Sequence, residues 1–210
     1  MRRRILALPV AIALVAIPGA VAAQACVGVP VAESYNAVTA QVGFPQDGMA
    51  YGAGFRHNMT GPFSFGASYS LSAYDNVDPK QHGLGAEVNY ELTAFELPLS
   101  VCPTVGLGYS RIADDVSSIS ALSVPVGVGF GKAFPLSQKV SVVPHVVPQW
   151  VWTRATVEFG AESISADDSV LAALFGATFS LPRFYVGGGV TWINEDGVDP
   201  IFAIMGGMPF

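Results

Sequence analysis

From Phe63 to Tyr74 the chain alternates between two kinds of residue. Phe63, Phe65, Ala67, Tyr69, Leu71 and Ala73 are apolar; Ser64, Gly66, Ser68, Ser70 and Ser72 between them are small or polar. Successive side chains of a strand point to opposite faces, so this period predicts a strand with one apolar and one polar face. Twelve residues at about 3.3 Å each span roughly 40 Å, or nearer 30 Å when tilted, which is a membrane's thickness.

The same period recurs along the chain. Val38, Ala40, Val42 and Phe44 form one apolar row, and Met49, Tyr51, Ala53 and Phe55 the next, with Arg56 on the opposite face. A strand beginning at His82 sets Leu84 to Ala94 against Glu87, Asn89 and Glu91. Later rows are Leu99–Tyr109 with Cys102 opposite, Leu122–Phe130, and Val140–Trp152 with His145 and Gln149 opposite. Leu171–Leu181, Phe184–Trp192 and Phe202–Phe210 complete the set. Two carboxylates on one strand face cannot face lipid, so Glu87 and Glu91, four residues apart, point inward.

These rows predict an all-β chain, a transmembrane antiparallel up-and-down β-barrel of about ten strands, with eight as the alternative. Pro144 and Pro148 inside one row imply a bulge or distortion, since proline cannot donate to a ladder. Turns are expected at 75–81 and 132–139, and the longest loop at 158–168. Alternate connections hold 12 of the 16 carboxylates, among them Asp47, Asp114, Asp167, Asp168, Glu195 and Asp196. The other connections are short or contain proline. Short turns belong at the periplasmic end and the acidic loops outside.

Composition agrees. Hydrophobic residues are 51% and charged residues 12% of the 210, against about 25% charged in soluble domains. After the N-terminus no run reaches the roughly 18–20 apolar residues of a membrane helix. Arg2, Arg3 and Arg4, then the apolar run Ile5–Ile17 and small residues to Ala25, read as a secretory leader. The expected divisions are a signal peptide over 1–25, a periplasmic segment over 26–36 and the barrel over 37–210. Without the three arginines, 7 Lys+Arg stand against 16 Asp+Glu, a net −9. Such an acidic chain is no nucleic-acid binder. No motif points to a cofactor, a metal or catalysis.

Export leads to an oxidising compartment, where Cys26 and Cys102 are expected to form a disulfide. The topology places both at the periplasmic end. Inside the barrel Arg56, Glu87, Asn89 and Glu91 are expected to form a polar plug, or else a cation-selective constriction, with His145 and Gln149 as further lumen groups. The small Ser and Gly residues of Phe63–Tyr74 should leave room for the charges to meet, with Ser68 and Ser70 as the positions where bulk should disturb them. Tyr109, Trp150, Trp152 and Trp192 suggest an aromatic girdle. Arg111 and Arg154 beside it are candidate lipopolysaccharide contacts.

The leader, the repeated hairpins and the terminal Phe210 together resemble small bacterial outer-membrane β-barrels of the OmpA/OmpX/OmpW-like class. The resemblance covers nearly the whole mature chain. It implies residence in the bacterial outer membrane among lipid and lipopolysaccharide, as a monomer. It also implies that the barrel-assembly machinery recognises the last strand ending at Phe210. The function expected is a structural or passive-transport role without catalysis. The alternatives are a secreted soluble barrel binding a small apolar ligand, or an outer-membrane barrel enzyme of omptin-like or lipid-modifying type. His82, near Asp75 and Asp78, is the group an omptin-like reading would use.

Overall fold

The computed structural model describes residues 36–59, 62–74, 77–92, 99–114 and 117–210, without the side chains of 77–79. The expected leader and Cys26 lie outside the described residues. Eleven strands follow in chain order: β1 (Asn36–Phe44), β2 (Gly48–Asn58), β3 (Phe63–Tyr74), β4 (Val77–Tyr90), β5 (Ser100–Ala113), β6 (Ser117–Gly131), β7 (Phe134–Ser137), β8 (Val140–Phe159), β9 (Glu162–Ser180), β10 (Tyr185–Ile193) and β11 (Ile201–Pro209). No helix occurs among them.

Apart from β6 and β7, neighbours in sequence are neighbours in the sheet, all antiparallel. Two further ladders close it: β1 against β11, from Ala37↔Pro209 to Phe44↔Phe202, and β6 against β8. The result is a closed ten-strand barrel. β7 is not an eleventh stave, because it resumes the line of β6. Gly131 faces His145 and Phe134 faces Val142, so the register is unchanged across the break.

Three expectations change, and a fourth takes a specific form. The turn expected at 132–139 shrinks to Gln138–Lys139, because the chain stays paired through β7. The loop expected at 158–168 is a hairpin, paired from Phe159↔Glu162 downwards. Its tip turns at Gly160, whose φ of +60° suits the first central position of a two-residue II′ connection. Acidic residues mark solvent exposure, and a strand standing in water carries them as readily as a loop does. The turn expected at 75–81 gives way to β4, which starts at Val77. The bulge or distortion expected at Pro144 and Pro148 takes the form of a distortion with no residue inserted. The β6–β8 ladder omits Val128/Pro148 and Gly129/Val147 and then resumes in the same register. The missing donor is absorbed by leaving pairs out, not by inserting a residue.

The faces follow the alternation. Val38, Phe55, Tyr69, Leu84, Leu107, Leu122, Trp150, Phe175, Val186 and Ile204 are all exposed, one from each of the ten staves; Leu84 is 60% and Ile204 63% accessible. Small and polar residues face inward. One end carries the turn after β2, the Gln138–Lys139 turn, the β9–β10 turn and the paired residues Asn36 and Phe210. The other end carries Asp47, Asp114, Glu158, Glu162 and the segment 194–200.

Candidate functional site

The lumen collects the chemistry-bearing side chains. Arg56 on β2 and Glu87 on β4 are one strand apart, and both register against Gly66 of β3. Gly66 has no side chain, so the two meet over it. Arg56 Nη2 donates to Glu87 Oε1 in an ion pair. Arg56 Nη1 also donates to Ser64 Oγ at 3.3 Å, and Asn89 Nδ2 reaches the same oxygen at 3.5 Å. Arg56 is 1% exposed. Buried charges persist only with partners, and these partners are in place.

The position of Gly66 corrects one expectation. Ser68 registers against Gly54 and Gly85, and Ser70 against Gly52 and Gly83, so neither lies under the pair. A Cβ on Gly66 would come within 2.9 Å of Glu87 Cγ. β4 ends at Tyr90, and the Glu91 amide carries the β3–β4 register one step further by donating to the Pro62 carbonyl at 2.8 Å. Glu91 keeps the parity of Glu87 and Asn89, and among the described residues the ion pair of Arg56 is with Glu87.

Around the same level the barrel is filled on every side. Thr39, Arg56, Ser64, Asn89, Cys102, His145, Thr178 and Tyr185 are all buried and face inward. Tyr185 crosses over Gly207, where a Cβ would collide with its ring, to bind Thr39 Oγ1 at 2.6 Å. This clasp was not foreseen. Its signal was the inward parity of Tyr185 opposite a glycine two strands from Thr39. His145 Nδ1 lies 3.3 Å from the Val143 carbonyl. Cys102 is fully buried, and no free cysteine occurs among the described residues.

Above this layer lies a chamber of about 120 Å³, room for a handful of waters. Gln41, Ser68, Ser70, Glu87 and Gln149 line one part; Val147, Leu174, Ile193 and Ile201 line another. Val151, Val170, Ala172 and Ile193 pack together inside the barrel, with Val198 and Ile201 against them. The chamber wall is thus small and polar on β1–β5, while on β8–β11 an apolar cluster stands among polar groups such as Gln149 and Thr191. Sequence reasoning missed the apolar cluster. Its trace was the run Val142-Val143-Pro144-His145-Val146-Val147, in which valines occur on both parities, so that the inward face carries apolar side chains as well as the outward one.

On the outer surface His82 Nδ1 lies 2.8 Å from the Tyr69 hydroxyl. Asp75 is outside the described residues, as is the side chain of Asp78. Arg111 registers beside His82, while Arg154 reaches Asp167 at 3.9 Å, both side chains half exposed. No group of three metal-ligating side chains occurs among the described residues.

No family model matches the sequence, and neither does any curated protein. Solved structures do match the fold. The translocator domain of the autotransporter NalP from Neisseria meningitidis aligns with a TM-score of 0.48 at 11% identity, over 85% of this chain and 90% of that one. A KdgM porin aligns at 0.42 and 8%, over 83% and 99%. The outer-membrane protease OmpT from Escherichia coli aligns at 0.43 and 7%, over 84% and 94%.

Proposed function

We propose that the chain is a bacterial outer-membrane barrel with a structural role, its lumen closed by the Arg56–Glu87 layer. The observation that carries the reading is the burial of Arg56 to 1%. A guanidinium on the wall of an open channel would be wetted; this one is sealed on every side. The apolar outer belt supports membrane residence, because a water-soluble monomer rarely exposes so large a contiguous apolar surface. Tyr109, Trp150 and Trp192 sit exposed on that belt towards the acidic end, where they suit an interfacial girdle. The acidic end then faces outwards, and the chain ends lie in the periplasm after removal of the leader.

In this reading Arg111 and Arg154 meet lipopolysaccharide phosphates, the assembly machinery engages the strand ending at Phe210, and the barrel works as a monomer. Cys26 pairs with Cys102. The ten residues from 26 to 36 reach at most about 35 Å, enough to cross the barrel mouth from β1 to β5. The disulfide would lay the N-terminal segment across the closed layer.

Planar-bilayer recording tests the closure. The native protein should show no steady open level, while the double substitution Arg56→Ala with Glu87→Ala should admit ions. A steady conductance from the native barrel would overturn the closed-lumen reading and leave passive transport in its place.

A further inference from the structure

The β8–β9 hairpin carries an unfinished sheet. β9 pairs with β8 along its whole length, from Glu162 to Ser180. On its other side it pairs with β10 only from Ala172 to Ser180, and the Asn194 amide bonds the Leu171 carbonyl at 2.8 Å just above. From Glu162 to Val170 no described strand covers that side. Leu171 presents its carbonyl to β10, so by the two-residue period Ser163, Ser165 and Asp167 present their backbone groups to the open side, while the amide of Ser169 already donates to Asp168 Oδ1 at 2.7 Å. Every residue from Glu162 to Ser169 is exposed except Ala166. A long bare edge is a template for another strand.

The charge beside the edge selects the guest. Glu162, Asp167 and Asp168 lie on it, and Glu195 and Asp196 stand in the segment leading from β10 to β11. Asp168 is close enough to Glu195 for its charge to hold the Glu195 carboxyl above its usual range, after burial, the larger cause. A second copy of the chain would set Asp167 and Asp168 against their like, so self-pairing is opposed. We propose that the open edge of β9 receives an extended basic segment of another protein as an added strand. Main-chain hydrogen bonds to Ser163, Ser165 and Asp167 hold it, and lysine or arginine side chains face the carboxylates. The membrane reading only determines which compartment supplies that partner; the edge itself does not depend on it.

The test uses the folded full chain in detergent micelles and a short peptide of alternating lysine and threonine. Saturable binding is expected, with slowed amide exchange at Ser163, Ser165 and Asp167. The same peptide N-methylated on alternate residues should bind at least tenfold more weakly, as should its glutamate counterpart. Ser165→Pro removes one edge donor at a position that proline tolerates and should weaken binding similarly, with heat-modifiable gel migration checking that the barrel still closes. Equal binding of the N-methylated peptide to the native barrel would reduce the effect to charge alone and overturn the proposal. So would protection located elsewhere, or no saturation. Each outcome is independent of the bilayer recording.

Discussion

Gly66 decides whether Arg56 and Glu87 can meet. A methyl group there would press within about 3.0 Å of Glu87 Oε1, and the carboxylate would have to swing off the guanidinium. Gly66→Ala should therefore cost about 1–3 kcal/mol in urea unfolding from lipid vesicles, whereas Ser68→Ala should stay within about 0.5 kcal/mol. Equal effects at the two sites would mean that the pair does not depend on the glycine. Glu195 gives a pH signature. Burial, then the charge of Asp168, raises its carboxyl above the ordinary value, so the folded chain holds that proton more tightly than the unfolded one. The associated stability is complete below the ordinary carboxylate range and is lost as pH rises through the folded value. Glu195→Gln should raise the thermal midpoint at pH 7 and leave it unchanged near pH 3. An increase that persists at pH 3 would point to some other cause. Arg56, Glu87 and Asn89 were legible in the sequence because parity opposite a lipid-facing row assigns them to the lumen. That the gap falls at Gly66 rather than at Ser68 or Ser70 was not, because which residue lies between two charges depends on the offsets of two hairpins, and the alternation within one strand is blind to offset.

Strands were legible wherever one face was apolar and the other was not. β3 met its expected bounds, Phe63–Tyr74, for that reason. β8 and β9 defeated the reading twice. Low down, β8 is apolar on both faces because its inner valines meet Leu174 and their neighbours. High up, the hairpin is acidic and serine-rich because both its faces meet water, and only the turn at Gly160 with its register reveals strands. That turn is a point of control. An L-residue with a side chain at positive φ costs about 1–2 kcal/mol, so Gly160→Val should fray the tip. Amide exchange should quicken over Val157–Ile164 while β1–β5 keep their protection. A uniform loss of protection would mean that the hairpin and the barrel unfold together.

The barrel as a whole was legible because closure needs only a count of rows, their common period and connections of two alternating kinds. The contents of its lumen were less so, since they depend on how ten staves tilt past one another. The proposed Cys26–Cys102 bond belongs to this scale, as it would join the segment before β1 to the far wall at β5. Mass spectrometry of the unreduced protein should find that chain two hydrogens lighter than after reduction; two alkylatable thiols would dispose of the bond.

The ladder between β1 and β11 has a kinetic consequence. Ala37 meets Pro209, and Asn36 and Phe210 exchange backbone bonds at 3.3 and 2.9 Å, so the ring is sealed by residues from opposite ends of the barrel sequence. Until the last strand arrives, the other nine form a curled sheet with two raw margins, each able to recruit a stranger. Such non-local pairing is also slow. The seam is therefore the step at which a nascent barrel is most exposed to misassociation, and whatever escorts the chain must guard both margins until they find each other.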